Sequence, residues 1–171
     1  MNSSALRVVP LDKRHDRRRF RSGSPPLDQY FVKQVTQDVR RRVTACFVAV
    51  RNDDQVAGFY TLSASSVPLA LLPADLSKKL PLYPRVPVAR MGRLAVDTKF
   101  HGQGVGGTLL VDALTRALRS EIAMFAVLVD AKDEVAASFY RYHGFLPLQN
   151  RALQLYFPLA EFAREIAAGA R

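Results

Sequence analysis

Cysteine is nearly absent from this chain, since Cys46 is the single cysteine among its 171 residues. A lone cysteine excludes an internal disulfide and any zinc site built from several cysteines. It lies in a run of β-forming residues, where the favoured interpretation is a buried, unreactive thiol. Histidine is also rare: His15, His101 and His143 are scattered, without carboxylates at ligand spacing. The sequence therefore predicts no metal site.

Long hydrophobic runs are missing as well. No apolar stretch approaches the roughly 18 residues that a membrane helix needs, so no membrane association is expected. The N-terminus lacks the charged-then-apolar pattern of a signal peptide, and a cytoplasmic location is the expectation. The length suits one domain over residues 1–171, without a Gly/Ser-rich linker or an internal repeat. The ordinary composition excludes the disordered and collagen-like classes.

Acidic residues are few relative to basic ones, with 15 Asp and Glu against 25 Lys and Arg and a net charge of +10. The excess is uneven. Residues 1–51 hold 12 basic and 4 acidic side chains, whereas residues 52–171 hold 13 and 11. A basic excess in one part of a chain favours a polyanionic partner, nucleic acid first. The alternative is a solvated surface that promotes solubility.

The pattern of elements predicts an α/β fold with a mixed sheet. Strands are expected at 6–11, 45–50, 56–65, 88–96, 125–131 and 153–158. Helices are expected from Pro25 to the basic run at 40–42, and at 104–119, 134–142 and 159–168. Leu27, Phe31, Val35 and Val39 share one face of the first helix. The turn at 52–54 separates two strands, and five prolines make 67–87 an irregular excursion with a short helix near Pro73.

The most informative stretch is a predicted strand that enters a glycine-rich turn and then a helix. The turn contains Gly102, Gly104, Gly106 and Gly107. Glycines allow a ligand to approach the backbone closely, and the free N–H groups of a helix's first turn bind phosphate or pyrophosphate. The spacing matches neither a P-loop nor the dinucleotide fingerprint. A purely structural joint between strand and helix is the alternative interpretation.

Two segments resemble the signatures of the GNAT acetyltransferases. His101-Gly-Gln-Gly-Val-Gly106 resembles the family's Arg/Gln-x-x-Gly-x-Gly/Ala motif, with His101 standing where the family has Arg or Gln. The segment 136–145 resembles the second signature, a helix that ends in a Gly-Phe turn. Their order and separation match the family. The resemblance implies an α/β GNAT fold, whose mixed and mostly antiparallel central sheet has flanking helices and a splayed cofactor-binding strand.

Further segments resemble a narrower group, the GNAT toxins of type II toxin–antitoxin modules. They are 27–30, 41–42, 59–64, 79–84, 92–97 and 129–133, and the likeness spans roughly residues 7 to 160. It implies transfer of an acetyl group from acetyl-coenzyme A to the α-amine of aminoacyl-tRNA, which blocks translation. It also implies a ribbon-helix-helix antitoxin as partner, and a homodimer is expected on the same ground.

The resemblance places acetyl-coenzyme A on the backbone of the strand and the glycine turn. The implied cofactor-binding residues are Leu94, Ala95, Val96, His101, Gly102, Gln103, Gly104, Val105, Gly106 and Gly107. Backbone amides do most of the phosphate binding in this family. The replacement of the motif's first residue by His101 is therefore expected to matter little.

Attack of an amine on a thioester needs a neutral amine and a proton for the departing thiolate. An α-amine has a pKa of about 8, which a neighbouring ester lowers, so a strong protein base is not essential. The family's general acid matches Tyr140, whose phenol has an ordinary pKa of about 10. Tyr142 lies about 200° away around the helix and is the lesser candidate. Asp133 is interpreted as the N-cap of this helix.

A tRNA acceptor requires cations that neutralise its phosphates. Arg90 and Arg93 lie three apart on a predicted strand and therefore point to opposite faces. One of them is a candidate contact for the 3′ end of the tRNA, and the other for an ordinary ion pair. The full set of candidate tRNA contacts is Lys33, Arg40, Arg41, Arg42, Lys78, Lys79, Arg85, Arg90 and Arg93.

Two other functions stay open at this point. The chain could be a GNAT enzyme that acts on a protein N-terminus or a small amine, which predicts acetylation of free amines without growth arrest. It could also be a non-catalytic, basic nucleic-acid-binding protein with a purely structural glycine turn. That function predicts no affinity for coenzyme A.

Overall fold

The computed structural model describes residues 5–51 and 54–169 of the chain. Asn52 and Asp53, which belong to the predicted turn, lie outside the described residues. The strands are β1 Arg7–Pro10, β2 Ala45–Val50, β3 Val56–Pro68, β4 Arg85–Val96, β5 Ala126–Asp130, β6 Leu146–Leu148 and β7 Arg151–Pro158. The α-helices are α1 Pro25–Lys33, α2 Val35–Arg40, α3 Ala74–Ser77, α4 Val105–Arg119, α5 Glu134–Tyr142 and α6 Leu159–Gly169. Short 3-10 helices cover Leu69–Leu71 and Thr98–Phe100.

These elements form two compact units. The described part of the first unit lies within residues 5–63 and 92–112, and that of the second within 64–91 and 113–169. Strands β3 and β4 contribute to both. The strand order is β1-β2-β3-β4 in the first unit and β3-β4-β5-β7-β6 in the second. This is the mixed α/β arrangement that the sequence predicts.

The first unit has an antiparallel β1-β2-β3 ladder and an aromatic core. The rings of Phe31 and Phe59 stack with centroids 4.0 Å apart, and Phe20 packs edge-on against Phe31 at 4.9 Å. All three rings are buried, so helix α1 is held on the sheet by hydrophobic area and by ring geometry together. The helix begins as predicted, after Ser24 in an extended conformation, with Pro25 as its first residue.

The second unit contains the parallel pair of the sheet. Strand β4 pairs with β5 from Val88 and Ala126 to Met91 and Val129, and the ladder ends there although β4 continues. Strands β5, β7 and β6 pair antiparallel, and α5 and α6 pack on β7. Strand β6 was not expected from the sequence, because Pro147 interrupts its pattern. A proline is tolerated there since β6 is the last strand in the order.

The single helix predicted from Pro25 to the basic run is wrong in detail. It is interrupted at Gln34, whose φ of −114° departs from helical geometry, and α2 begins at Val35. The apolar face consequently shifts, so Phe31 and Val35 are fully buried whereas Val39 is 37% exposed. Two β-branched residues, Val35 and Thr36, follow the break, and such residues have low helix propensity.

Gly58 on β3 permits close packing in the first unit. A Cβ added there would lie 2.9 Å from the Ala95 carbonyl oxygen on β4 and 3.0 Å from Leu109 on α4. We expect Gly58→Ala to lower the free energy of unfolding by about 1–3 kcal/mol, because the backbone oxygen cannot yield cheaply. Urea unfolding measures the loss. Gly169→Ala is the matched control, because its Cβ would meet nothing within 4 Å. Equal stability of the two variants would contradict this packing argument.

Candidate active site

The joint between β4 and the glycine turn is fixed by a buried carboxylate. Asp97 is only 4% exposed. Its Oδ1 accepts a hydrogen bond from the Lys99 N–H at 2.9 Å, and its Oδ2 accepts one from the Arg21 N–H at 3.1 Å. It thus caps the 3-10 helix and ties the distant 20–22 segment to the strand end. Sequence reasoning missed Asp97, although an aspartate just before a helical turn is a recognisable capping signal.

His101 is turned back onto the strand. Its Nε2 lies 2.8 Å from the Val96 carbonyl oxygen. Because a carbonyl can only accept, this nitrogen carries the hydrogen and donates it. The imidazole therefore fastens the turn to the end of β4, a role that the sequence did not reveal.

The glycine turn has the backbone geometry of an anion-binding loop. Gly102 and Gly104 have φ values of +75° and +78°, which L-residues adopt only with strain. A Cβ added at either would meet nothing within 4 Å, so the space beside this backbone is open. The first helical hydrogen bond runs from the Thr108 N–H to the Gly104 carbonyl oxygen. The N–H groups of Val105, Gly106 and Gly107 precede that bond and face the N-terminal end of α4.

The three strand residues predicted to bind the cofactor end β4. Ala95 is buried in the core of the first unit, whereas Leu94 and Val96 are half-buried. The next residue, Asp97, donates its N–H to the Ala57 carbonyl oxygen of β3 at 2.8 Å. The Ala95 side chain is therefore core, as predicted, whereas those of Leu94 and Val96 are only partly buried, and cofactor binding by the backbone of the three residues stays a prediction.

In the second unit, Tyr140 lies near the C-terminal end of α5. The helix begins as predicted, since Asp133 Oδ1 accepts from the Ala136 N–H at 2.8 Å, and it stops at Gly144, with φ +94°. Tyr140 is 7% exposed and its ring contacts Phe139 and Phe145. Tyr142 is 85% exposed, which confirms that the two tyrosines face different surroundings.

The environment of Tyr140 keeps its phenol protonated. Burial raises the pKa of Tyr140 to about 12, and the negative charge of Asp130 adds to the effect. Within the described part of the chain, the Tyr140 hydroxyl has no hydrogen-bond partner. A buried phenol with an uncommitted hydroxyl is suited to donate a proton to a group that becomes negative.

The raised pKa predicts a measurable titration. An ordinary tyrosine loses its proton near pH 10, whereas Tyr140 should lose it near pH 12. The folded state favours the protonated form, so the contribution of Tyr140 to stability is complete below pH 10 and declines as the pH rises toward 12. Ultraviolet titration of tyrosinate, as wild type minus Tyr140→Phe, measures this pKa directly. A midpoint near pH 10 in the difference spectrum would contradict it.

The predicted tRNA-contacting residues are all exposed, and three of them have defined contacts. Arg90 pairs with Asp130 at 2.7 Å. Arg93 stacks its guanidinium 3.5 Å from the centroid of Tyr30. Arg85 donates from Nε to Ser66 Oγ at 2.6 Å. The nine exposed residues are Lys33, Arg40, Arg41, Arg42, Lys78, Lys79, Arg85, Arg90 and Arg93.

Two of these arginines line the same groove of the second unit. Arg85 and Arg90 border a groove of about 410 Å³, together with Arg151, which the sequence did not single out. Asp130 accepts from Arg90 and, at 2.8 Å, from Gln154 Nε2. The carboxylate thus holds two side chains that face the groove, and the groove keeps an excess of arginine.

The thiol and metal predictions concern other parts of the chain. Cys46 is buried, as predicted, and burial raises its pKa to about 12, which favours the protonated, unreactive thiol near neutral pH. The described residues include no group of three or more His, Cys, Asp or Glu side chains placed to hold a metal ion. Among the described helices, none has both the length and the hydrophobicity to span a bilayer.

The chain matches a known domain family. Residues 42–147 match the acetyltransferase (GNAT) domain. The chain is 38% identical to a tRNA-acetylating toxin of Mycobacterium tuberculosis over 128 residues, which are 74% of this chain and 75% of the relative. It is 30% identical to the probable toxin TacT of Sinorhizobium fredii over 169 residues, which are 92% and 93% of the two chains.

Solved structures show the same fold. AtaT complexed with acetyl-methionyl-tRNAfMet matches with a TM-score of 0.88 at 30% identity, over 95% of this chain and 99% of that chain. A mutant AtaT toxin bound to the C-terminus of the antitoxin AtaR and acetyl-CoA matches with a TM-score of 0.77 at 26% identity, over 91% and 94%. The family match, the two relatives and the glycine turn agree. The chain belongs to the GNAT acetyltransferase family.

Proposed function

We propose that this protein is a toxin that transfers the acetyl group of acetyl-coenzyme A to the α-amine of aminoacyl-tRNA and so blocks translation. The observation that carries the proposal is the 38% identity to a tRNA-acetylating toxin across three quarters of each chain. The match to AtaT, solved with an acetylated aminoacyl-tRNA, supports the same class of acceptor. The net charge of +10 suits a polyanionic substrate.

The residues of the glycine turn fit the pyrophosphate of acetyl-coenzyme A. The open space beside Gly102 and Gly104 leaves their backbone accessible, and the amides of residues 105–107 offer donors at the positive end of the helix dipole. When bound, acetyl-coenzyme A supplies an activated acetyl group as a thioester. The backbone of Leu94, Ala95 and Val96 orients the pantetheine arm and polarises the carbonyl through an N–H.

Tyr140 holds the proton that the reaction needs. Its Oη donates a hydrogen bond, and then the proton, to the departing sulfur. The raised pKa supports this role because the phenol stays protonated throughout the physiological range. No protein base is required, since the α-amine of an aminoacyl ester is largely neutral near pH 7.5.

The basic residues are proposed to bind the acceptor. The charge of the exposed set Lys33, Arg40, Arg41, Arg42, Lys78, Lys79, Arg85, Arg90 and Arg93 neutralises tRNA phosphates. Arg151 joins this set because it lines the groove that contains Arg85 and Arg90. Within this set, Arg90 is paired with Asp130, so we assign it a role in positioning the tRNA and assign phosphate neutralisation to the other members.

The proposed protein partners rest on the same similarity to known toxins. The AtaT structure with the C-terminus of AtaR supports an antitoxin for this chain, and we propose one of the ribbon-helix-helix class. We further propose that the chain acts as one acetyltransferase domain, that it forms a homodimer, and that it works in the cytoplasm, where its tRNA substrate occurs. Co-expression with the product of a neighbouring short reading frame, followed by co-purification, tests the antitoxin.

Growth and label transfer together test the function. The protein is induced in a bacterial host while growth is followed, and the purified protein is incubated with labelled acetyl-coenzyme A and charged tRNA. We expect growth arrest and label in the aminoacyl moiety of the tRNA. Label in free amines or peptides without growth arrest would place the enzyme elsewhere among GNAT acetyltransferases. Absence of coenzyme A binding would reject an acetyltransferase function altogether.

A further inference from the structure

Arg51 brings a cation to the glycine turn from a distant part of the sequence. It directly follows β2, and its Nη2 donates to Gln103 Oε1 at 2.7 Å. Its guanidinium lies 5.1 Å from the ring centroid of Phe100, the last residue of the 3-10 helix. Gln103 stands between the two positive-φ glycines, so the guanidinium is anchored on the turn itself rather than beside it.

The anchoring leaves donors of Arg51 unused. Its Nε is buried and has no hydrogen-bond partner. Within residues 5–51 and 54–169, the Arg51 side chain donates one hydrogen bond, to Gln103, and forms no ion pair with a carboxylate. A buried donor without a partner costs free energy, and a charged one costs more. The buried Nε is out of reach of a ligand, so the donors open to a phosphate are the remaining Nη hydrogens of the guanidinium.

The side chain at the first motif position is partly committed to the strand. The His101 Nε2 is bonded to the Val96 carbonyl oxygen, so this nitrogen is not free for a ligand. Gln103 is also committed, because its Nε2 donates to the Lys99 carbonyl oxygen at 3.3 Å while its Oε1 accepts from Arg51. The cation held against the turn is therefore Arg51, through its hydrogen bond to Gln103.

We propose that Arg51 is a cofactor-binding residue whose guanidinium contacts the pyrophosphate of acetyl-coenzyme A, in a turn where His101 stands in place of the motif's Arg or Gln. This inference rests on the proposed function, since it takes the glycine turn as the coenzyme A site. It adds a residue about fifty positions before the turn to the binding machinery. It also gives Gln103 a second role, that of holding the guanidinium in place.

Calorimetric binding of coenzyme A tests the assignment without any turnover. We compare wild type, Arg51→Gln and Arg51→Lys, with Arg164→Gln as the matched control, because Arg164 is an exposed arginine paired to Glu161 on α6, which contributes no residue to the turn. Arg51→Gln should raise the Kd about tenfold, Arg51→Lys less, and Arg164→Gln not at all. The difference between wild type and Arg51→Gln should shrink at high salt, because it is electrostatic.

Dephospho-coenzyme A distinguishes the two phosphate sources. It lacks the 3′-phosphate but keeps the pyrophosphate, so the tenfold effect of Arg51→Gln should persist with it. Loss of the effect with dephospho-coenzyme A would overturn the pyrophosphate contact in favour of the 3′-phosphate. Equal affinity of wild type and Arg51→Gln for coenzyme A would overturn the role of Arg51. Failure of wild type to bind coenzyme A would instead reject the proposed function, so the two failures are distinct.

Discussion

Replacing Tyr140 by phenylalanine should reduce the rate of acetyl transfer by about 10²–10⁴-fold and abolish growth arrest. The substitution removes one oxygen from a side chain that is 93% buried and leaves its contacts with Phe139 and Phe145 in place. The hydroxyl has no hydrogen-bond partner among the described residues, so no protein group loses a bond. Folding should therefore be unaffected while the proton for the leaving sulfur is lost. Single-turnover acetylation of charged tRNA measures the effect.

Tyr142→Phe provides the matched control for that experiment. It removes the same atom, two residues away on the same helix, from a side chain that is 85% exposed. Its rate, toxicity and thermal stability should equal those of the wild type. Equal rates for Tyr140→Phe and the wild type would remove Tyr140 from the chemistry. An equal affinity for coenzyme A in all three proteins is expected, because the phenol acts on the departing sulfur and not on the bound phosphates.

The features that sequence reasoning predicted are those encoded by neighbouring residues. The boundaries of α5 follow from Asp133 and Gly144, a cap and a stop separated by one helix. The glycine turn follows from a strand, four glycines and an amphipathic helix in immediate succession. Local backbone preferences fix each of these features, so the printed order of residues is sufficient.

The features that it missed depend on residues brought together by the fold. Asp97 accepts from the Arg21 N–H, 76 positions away, and Arg51 donates to Gln103, 52 positions away. Gly58 matters because the Ala95 carbonyl oxygen on another strand approaches it. Neither periodicity nor a sequence motif indicates such long-range contacts. The interruption at Gln34 was missed for a different reason: the β-branched pair Val35 and Thr36 follows it in the sequence, but the continuous apolar stripe favoured one helix.

In the proposed cofactor site, the residues that set the geometry of the turn differ from the residue that adds charge. Asp97 and His101 fasten the strand end through backbone groups, and Gly102 and Gly104 shape the loop that follows. The proposed source of charge is Arg51, which Gln103 holds against the turn. This division explains how a histidine is accommodated at the first motif position. The geometry is set by hydrogen bonds to the backbone, so the side chain there need not contact the phosphates.

Replacing Gly104 by alanine should weaken coenzyme A binding about tenfold or more. The φ of +78° is unfavourable for an L-residue by about 1–2 kcal/mol, although space for the methyl group is free. The turn relieves this strain by a backbone rotation that moves the Gly104 carbonyl oxygen. That oxygen accepts hydrogen bonds from both the N–H and the hydroxyl of Thr108. The amides of residues 105–107 then lose their alignment. Calorimetry with coenzyme A measures the loss, and a tenfold change corresponds to about 1.4 kcal/mol.

Gly23→Ala separates the loss of alignment from the loss of stability. Gly23 has a φ of +91°, and its added Cβ would make an ordinary contact at 3.9 Å with the Thr98 side chain. Both variants should therefore unfold at similarly reduced temperatures, because both place alanine in the left-handed region. Only Gly104→Ala should lose affinity, since Gly23 precedes α1 and contributes no amide to the turn. Parallel losses of affinity in the two variants would attribute the effect to general destabilisation, and unchanged affinity in both would show that the alignment of the turn amides does not control binding.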